Sequence, residues 1–337
     1  AAPATPAAGP FAAVLGSMAA ERLIRAVAGL PDPGAPADGW PTVLVVRAAP
    51  LAAGFQPWLL DGPPHAGIPA GDNGAEQTLR RISALCDGDL GVLPAARYED
   101  LPQIPAALAV CDRDGRISVG TGATTGAARV DAVLRCAGRA LDPHGAGRLA
   151  VGLSDQHAAG MLLRRVAYRV AGRAAVTAGE PGWRDDPAAR RWWSAFAGGG
   201  DPGWRDDPAA RRWWSALSAG YGMAAGGVVA RVAGGVFVAR IEAYGRELGW
   251  AVESTAGTAM AVAAQRAVAV RQAQPAGAGD DPDTQAGAAP GSAGEAVLQD
   301  ALRRIVPPAQ WPRPARTPAG DLRTALSTAG FAVQETP

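Results

Sequence analysis

The pattern that most constrains the fold is a β-hairpin that leads into a helix. Residues 106–111 (AALAVC) and 117–120 read as two short strands. Between them, the DRDG of residues 112–115 is typical of a tight turn. Apolar residues at helical spacing follow over residues 126–141. This order predicts an antiparallel pair of strands continued by a helix.

The same order returns later in the chain. Residues 235–243 and 250–254 are predicted to be strands, residues 245–248 a turn between them, and residues 259–272 a helix. A chain with two such units is expected to form a mixed α/β fold, with α+β character, whose sheets contain antiparallel pairs.

Other segments complete the prediction. Helices are expected at residues 11–30, 76–85, 154–175, 296–305 and 320–329, and strands at residues 42–46, 55–60 and 331–333. The first of these helices carries a broad apolar stripe that includes Leu15, Leu23 and Ile24, and Pro31 ends it.

A Gly- and Pro-rich loop at residues 61–73 marks the predicted domain boundary. At roughly 100–200 residues per domain, a chain of 337 residues is expected to form about two domains. We assign residues 1–72 to one unit and residues 73–337 to the other. Residues 276–294 are low in hydrophobic residues and are expected to be a linker or a disordered loop.

The chain contains no lysine, so all 32 basic residues are arginine. This excludes a Walker A loop, a Schiff-base enzyme and a lysine general base, since each of them needs the lysine amine. The net charge of +1 predicts no broad electrostatic surface for nucleic acid or a membrane. We therefore expect neither of them as a partner.

Cysteine and histidine usage argues against a metal site and against a disulfide framework. The three cysteines are widely spaced and form no CxxC pair, and the three histidines are scattered. We expect reduced thiols, a cytoplasmic location and no transmembrane helix. Ser154, Asp155 and His157 are close in sequence, but a hydrolytic triad joins residues that are distant in sequence, so no triad is inferred.

An exact tandem repeat is the sharpest internal feature. Residues 181–195 read PGWRDDPAARRWWSA, and residues 202–216 repeat every letter. Each copy begins a helix with an Asp-Pro pair, a favourable helix start. One interpretation is a recent duplication that adds a helical hairpin. The other is a surface for a peptide or protein partner, since Trp and Arg predominate in binding hot spots; its residues are Arg190, Arg191, Trp192, Trp193, Arg211, Arg212, Trp213 and Trp214.

One glycine-rich stretch leads from a strand into a helix, VGTGATTGAARVDA at residues 119–132. Gly120 and Gly122 would let a phosphate approach the backbone, and the helix N-terminus would add its dipole. A tight strand-to-helix turn explains the same glycines equally well. With Arg139, these two glycines form a weak candidate cofactor site.

The order of segments resembles two families of azole-peptide biosynthesis. AAVLGSMAAERLIRAVAGLP (12–31) and TVLVVRAAPLAAGFQPW (42–58) resemble the last helix and closing strands of the ThiF-type fold. LCDGDLGVLPAARYEDLPQIPAALAVC resembles the opening of a YcaO domain, and VGTGATTGAARVDAVLRCAGRAL resembles its glycine-rich strand, turn and helix. Residues 235–272 and LRTALSTAGFAV (322–333) are similar to later YcaO segments.

The resemblance implies the chemistry of azoline formation. In the YcaO family a Cys, Ser or Thr side chain of a ribosomally made peptide attacks the preceding backbone carbonyl. ATP then phosphorylates the resulting oxygen, and phosphate leaves. Glutamates on helices hold Mg²⁺-ATP, as expected for a cation that prefers hard oxygen ligands.

This chain departs from the family at those glutamates. On the family pattern they fall on Arg135 and Gly138, and only Arg139 keeps the expected residue type. The helices at residues 158–171 and 259–274 contain no Asp or Glu in any register. Arginine cannot ligate a cation, because its guanidinium offers no lone pair and stays charged.

The sequence therefore favours a truncated, degenerate YcaO-like protein with a ThiF-like remnant. The expected function is a non-catalytic component of a cyclodehydratase complex that binds the precursor peptide, the catalytic subunit or both, with no cofactor. One alternative is an active cyclodehydratase that uses ATP and Mg²⁺, with Glu242, Glu247 or Glu253 as replacement carboxylates. Another is an unrelated structural or assembly protein whose duplicated helices serve homo- or hetero-oligomerisation.

Overall fold

A computed structural model describes about two thirds of the chain. The described residues are 9–32, 34, 40, 42–48, 50–59, 72–142, 148–179, 203–233, 236–244, 246–273, 313–314, 323, 326–327 and 331–335. The first repeat copy, the predicted linker at 276–294 and the predicted helix at 296–305 lie outside these residues.

The described residues form six α-helices and ten strands. The helices are α1 (Pro10–Val27), α2 (Asp72–Leu85), α3 (Thr125–Leu141), α4 (Asp155–Gly179), α5 (Pro208–Ser215) and α6 (Ala256–Ala273). The strands are β1 (Thr42–Ala48), β2 (Leu51–Pro57), β3 (Ala107–Arg113), β4 (Arg116–Gly122), β5 (Leu149–Gly152), β6 (Ala225–Ala233), β7 (Val236–Ala243), β8 (Arg246–Glu253), β9 (Arg313–Pro314) and β10 (Ala332–Glu335).

Every pair of neighbouring strands in the described sheets is antiparallel. β1 pairs with β2 and β3 with β4, each as a hairpin. β6, β7 and β8 form a three-stranded meander, and β10 lies between β5 and β9. The mixed α/β class and the antiparallel pairing are thus confirmed.

Three helices begin in the same way. The hydroxyls of Thr124, Ser154 and Thr255 accept hydrogen bonds from backbone N–H groups three residues later, at 3.1–3.2 Å. Each cap satisfies a donor that the first helical turn would otherwise leave free. A fully buried alanine follows four residues after each cap. The same sequence signature therefore begins α3, α4 and α6 directly after β4, β5 and β8.

Glycines let two of these helices lie very close to the preceding strand. A Cβ on Gly120 of β4 would lie 2.2 Å from the carbonyl oxygen of Ala128 in α3. A Cβ on Gly249 of β8 would lie 2.4 Å from the carbonyl oxygen of Ala263 in α6. In both hairpin-plus-helix units, a glycine in the second strand thus allows the backbone of the helix to pack directly against that strand.

The β3–β4 hairpin lies between two hydrophobic cores. Alternate residues of a strand point to opposite faces. Leu108 and Val110 pack with α5, α6 and the β6–β8 sheet, whereas Ala107, Ala109 and Cys111 pack with α2 and α3. Because both faces of β3 are buried, its residues 107–111 are all apolar, and this explains the continuous apolar run in the sequence.

The N-terminal segment contacts the second of these cores. Trp40 and Leu59 belong to the cluster that contains Ile82 and Leu85 of α2. Arg47 of β1 forms an ion pair with Asp89 beyond α2. The two predicted domains thus touch through buried apolar residues, and their division near residue 72 stays a prediction.

The strand predictions were incomplete after α3. β5, β6 and β9 were not predicted, because β5 has four residues, β9 has two, and β6 opens on Ala-Gly-Gly without an apolar alternation. The turn predicted at 245–248 is wrong: the chain reverses at Tyr244, whose φ is +54°, and Arg246 already belongs to β8. No helix among the described residues is long and apolar enough to cross a membrane.

Candidate functional site

The glycines of the predicted cofactor site have a packing role. Gly120 lies against the backbone of α3, and a Cβ on Gly122 would lie 2.7 Å from the Ala128 nitrogen. The room that these glycines create is therefore filled by the helix itself. This is the tight strand-to-helix turn that the sequence allowed, and phosphate binding by these glycines stays a prediction.

Arg139, the third predicted residue, lies in a group of charged side chains at the edge of β4. Its Nη1 donates to the Ile117 carbonyl at 2.5 Å. One turn earlier, Arg135 donates through Nε to Asp131 Oδ2 at 2.9 Å. The same carboxylate oxygen accepts from the backbone N–H of Thr121, also at 2.9 Å. Asp131 therefore fastens α3 to β4.

Arg266 of α6 completes this group. Its side chain is buried, with 2% of the residue exposed, and its Nε and Nη1 have no hydrogen-bond partner among the described residues. Burial lowers the pKa of Arg266 well below its usual value, and the positive charges of Arg135 and Arg139 act in the same direction, while Asp131 opposes them. We call Asp131, Arg135, Arg139 and Arg266 the arginine cluster.

Another buried arginine has its hydrogen-bond donors engaged by acceptors. Arg164 of α4 is 1% exposed in its side chain and binds both carboxylate oxygens of Glu253, at 3.1 and 3.2 Å. Of the other candidate carboxylates, Glu242 and Glu247 form ion pairs with Arg240, and Glu247 also accepts from the Tyr168 hydroxyl. The acidic residues proposed as replacement metal ligands are thus held by arginine or tyrosine.

The second copy of the repeat is a structural element. Asp207 caps α5, as predicted, by accepting from the Ala210 nitrogen at 2.9 Å. Trp213 is only 9% exposed and belongs to the first core. Trp214 packs partly buried against that core and meets Trp204 edge to face, with ring centroids 5.4 Å apart. The three tryptophans of this copy, Trp204, Trp213 and Trp214, therefore point inward.

Arg211 and Arg212 are the exposed charged residues of that helix. Arg212 also lies over the Trp213 ring, 5.1 Å from its centroid. If α5 binds a partner, these guanidinium groups offer the contact and the indoles do not. Arg190, Arg191, Trp192 and Trp193 lie outside the described residues, so their role stays a prediction.

The structure brings the three cysteines into one neighbourhood, which their spacing did not indicate. Burial raises the pKa of the Cys86 thiol to about 12, and the nearby Cys136 adds to this. A hydrogen bond with Cys111 lowers the pKa of Cys136, and Arg113 and Arg139 act in the same direction against burial. Among the described residues, no three His, Cys, Asp or Glu side chains converge to hold a metal ion.

Ser154, Asp155 and His157 act as capping groups at the start of α4. Ser154 accepts from the His157 nitrogen, and His157 Nδ1 accepts from the Leu153 nitrogen at 3.1 Å. Asp155 accepts from the Gln334 side chain at 3.0 Å. These contacts explain the three residues by local structure.

Helix α1 presents an unusual surface. Every one of its residues is at least partly exposed in the part of the chain that the structure describes. Its inner side, with Phe11, Val14 and Met18, is only half-buried. The outer side is apolar, and the exposed large residues there and just beyond the helix end are Leu15, Leu23, Ile24, Val27 and Leu30. We call these five residues the α1 apolar face.

The exposure of this face is high for such side chains. Leu23 is 66% exposed, Ile24 65% and Val27 81%. Isolated exposed apolar residues are common, but a contiguous apolar face on a folded protein marks an interaction site. The sequence predicted this stripe, and the structure leaves its large aliphatic side chains exposed.

Comparison with known proteins gives no match: no family model fits the sequence, no curated protein is significantly similar, and no solved structure matches the fold.

Proposed function

We propose that this protein is a non-catalytic binding component of an azoline-forming peptide-modification complex. It would dock on the catalytic cyclodehydratase subunit through the α1 apolar face and act in the cytoplasm. In this proposal residues 1–72 are a ThiF-like remnant and the rest is a truncated, degenerate YcaO-like domain. The precursor peptide is the second partner.

The α1 apolar face carries this proposal. Three or more aliphatic side chains on one helix face would bury apolar surface on a partner, at about 25 cal/mol for each Å² removed from water. A polypeptide partner with its own apolar surface fits such a face better than a small polar substrate does. A helix-in-groove or helix-on-helix contact is the expected mode.

The buried arginines of α3, α4 and α6 support the proposal that the protein is non-catalytic. In the YcaO pattern the metal-binding glutamates fall on α3, α4 and α6, and here the inward charged residues of these helices include Arg135, Arg164 and Arg266. Positive charges at short range repel a divalent cation, most strongly where little water screens them. Because Glu242, Glu247 and Glu253 are held by other side chains, they do not favour the active-enzyme alternative.

The test is a comparison of two variants in a binding assay with the catalytic subunit. Leu23→Ser with Ile24→Ser removes the centre of the α1 apolar face. Serine matches isoleucine in helix propensity and falls below leucine by less than about 0.7 kcal/mol, so the helix should persist. We expect the affinity for the catalytic subunit, measured by calorimetry, to fall by about tenfold or more, because buried aliphatic side chains each contribute roughly 1.5–3 kcal/mol.

Ile104→Ser is the matched control, because Ile104 is 84% exposed in a loop away from α1. Equal binding by the α1 variant and the control would overturn the proposed docking surface. Sedimentation of each protein alone separates a second copy from a different partner. A concentration-dependent dimer that the α1 substitutions abolish would assign the face to self-association, against the proposal.

The non-catalytic assignment has its own measurement. The chain alone, with Mg²⁺-ATP and a Cys-, Ser- or Thr-containing precursor peptide, should leave the peptide mass unchanged. Loss of 18 Da for each converted residue would show cyclodehydration and would support the active-enzyme alternative instead.

A further inference from the structure

One group of nucleophilic side chains has no role in the proposed function: the thiols of Cys86, Cys111 and Cys136. Cys111 is fully buried and Cys136 is 2% exposed. Both belong to the second core, and Cys86 packs partly buried against it. All three are free thiols. The redox chemistry of a thiol depends on its neighbours, so the placement of these three decides what they can do.

The register of the β3–β4 hairpin gives the position of Cys111. Cys111 pairs with Ser118, and Ala109, two residues earlier in β3, pairs with Gly120. Residues two apart in a strand lie on the same face, about 7 Å from each other. A Cβ on Gly120 would lie 2.2 Å from the Ala132 nitrogen, so this is the face that α3 covers. Cys111 therefore points towards α3.

The packing of α3 brings Cys136 to the same level. Cys136 follows Ala132 by four residues, which is about 6 Å along the helix axis. The helix runs in the direction of β3, because its first turns pack on the end of β4 and Arg139 donates to the Ile117 carbonyl near the beginning of β4. Cys136 and Cys111 are thus displaced from the Ala132 contact by similar distances in the same direction, and their side chains form a hydrogen bond.

The third thiol lies close to this pair, at the end of α2. The Cys111 Sγ donates to the Pro94 carbonyl at 3.2 Å. The residue before Pro94, Leu93, donates through its backbone N–H to the Leu85 carbonyl at 3.0 Å. Cys86 follows Leu85 directly, and it is the most exposed of the three cysteines. A test of the buried pair therefore has to distinguish it from Cys86.

The two buried thiols differ in how readily they ionise. The hydrogen bond from Cys111 lowers the pKa of Cys136, and the positive charges of Arg113 and Arg139 act in the same direction against burial. The same hydrogen bond, together with burial, raises the pKa of Cys111. The thiolate is the form that attacks an oxidant. The pair therefore combines one cysteine that ionises more readily with a protonated neighbour that can close a disulfide.

We propose that hydrogen peroxide oxidises Cys136 and that Cys111 then closes an intramolecular disulfide with it. The Cys136 thiolate attacks one peroxide oxygen, the O–O bond breaks, and the hydroxide that leaves takes up a proton to become water. The Cys111 thiol then attacks the sulfur of the resulting sulfenic acid, the S–S bond forms and a second water leaves. In total the two thiols lose two protons and two electrons, and the peroxide takes them up.

The packing suits such a bond. A disulfide needs Cα atoms about 4.4–6.8 Å apart. Gly120 brings the α3 backbone so close to β4 that no Cβ fits between them, and this shortens the distance from helix to hairpin. Because the pair is buried, the oxidant has to be about as small as water. Oxidised glutathione should therefore not form the bond in the folded chain.

Peptide mapping of the whole chain tests the pair, because cleavage after arginine places each cysteine in its own peptide. The peptides are residues 82–97, 98–113 and 136–139. The chain is treated with hydrogen peroxide, its remaining thiols are blocked with iodoacetamide in urea, and it is digested without reductant. We expect a link between peptides 98–113 and 136–139, with a mass about 2 Da below their sum, that dithiothreitol removes. Cys86→Ala should keep this link.

Three other products would overturn the proposal. The first is a link between peptides 82–97 and 136–139, which would assign the partner role to Cys86. The second is blocked Cys111 and Cys136 at peroxide concentrations that oxidise Cys86. The third is sulfinic acid on Cys136 without any link. Equally rapid bond formation with oxidised glutathione would contradict the buried site.

Dimedone, which traps sulfenic acids, tests which thiol reacts first. Cys111→Ser and Cys136→Ser, each combined with Cys86→Ala, leave a single thiol beside a hydroxyl that still offers a hydrogen bond. We expect dimedone on Cys136 in the first variant, and at least about tenfold less on Cys111 in the second. Equal labelling would remove the first role from Cys136. If either serine variant does not fold, mapping of the unmodified chain decides alone.

The bond should also show in stability. It would close a loop of about 25 residues and restrict the unfolded chain, so the unfolding midpoint after peroxide treatment should rise by roughly 3–8 °C. Cys136→Ser, treated in the same way, should keep its midpoint. An equal rise in this variant would contradict the disulfide. The site is independent of the α1 apolar face, so either proposal can fail alone.

Discussion

Two arginine–glutamate ion pairs in this protein differ in their contribution to stability because one is buried and the other is exposed. Arg164 and Glu253 form a two-point ion pair in the interior, whereas Arg25 and Glu21 form a single-point pair on the surface of α1. Both pairs look alike in the sequence, as an arginine and a glutamate. Their energetic weights differ because desolvation makes the loss of one buried partner costly, while water screens the surface pair.

Removal of one partner should expose this difference. Arg164→Met leaves the Glu253 carboxylate buried without a counter-charge, so we expect the free energy of unfolding to fall by about 3–5 kcal/mol. Urea titration measures it. Arg25→Met, the control, should change it by less than about 1 kcal/mol. Equal effects would mean that Glu253 is solvated in solution.

The Cys86 thiol gives a pH-dependent prediction. Burial raises its pKa to about 12 in the folded chain, above the unperturbed value of about 8.5. The unfolded chain therefore loses this proton first, so the stabilisation is complete below about pH 8.5 and is lost as the pH rises towards 12.

This group alone should contribute a slope of up to about −1.4 kcal/mol per pH unit in that window. Urea titrations between pH 7 and 10.5 measure the free energy of unfolding. Cys86→Ala should give a shallower alkaline slope and the same slope near pH 7. Parallel curves over the whole range would contradict the raised pKa.

At the scale of elements, local sequence rules identified most helices and hairpins. Asp207-Pro208 predicted the start of α5, and DRDG predicted the β3–β4 turn, where Asp114 and Gly115 have positive φ. Local signals decide these features, so a single sequence reveals them. The glycine-rich stretch at Gly120 was ambiguous, because a phosphate and a packed helix both need the same free space above a strand.

That ambiguity leads to a stability prediction. In Gly120→Ala the new methyl would meet the α3 backbone at 2.2 Å, so we expect a loss of about 1–3 kcal/mol in the free energy of unfolding. Gly138→Ala is the matched control, because nothing lies within 4 Å of its Cβ position in the last turn of α3. It should stabilise the protein by roughly 0.5–1 kcal/mol. Urea unfolding of both variants gives the comparison.

The whole molecule contains contacts that no local rule reveals. Arg139 and Arg266 are 127 positions apart, and their neighbourhood depends on how two hairpin-plus-helix units pack. The same holds for the inward Trp213 and for the three cysteines. The sequence placed cations on the correct helices, but the missing acceptor at Arg266 became visible only once burial and partners were known.

Two cores joined by one hairpin should unfold together. Leu108→Ala creates a cavity in the first core, where Leu108 is fully buried, and should cost about 2–5 kcal/mol. Tryptophan fluorescence reports on the first core through Trp204 and Trp213 and on the second through Trp40, whereas thiol labelling of Cys111 and Cys136 reports on the second core alone. Both probes should shift to the same lower urea midpoint. Separate midpoints would show that the cores unfold independently.

The double coverage of β3 also limits what mutation can do to this chain. In a strand with one solvent-exposed face, every second residue can be polar. In β3, by contrast, residues 107–111 have apolar neighbours on both faces. Charged substitutions have no face to turn towards water, and larger side chains have no free volume. In a library of all single substitutions, this short segment should therefore tolerate the fewest replacements, and the outer positions of α1 the most, unless the library is selected for partner binding.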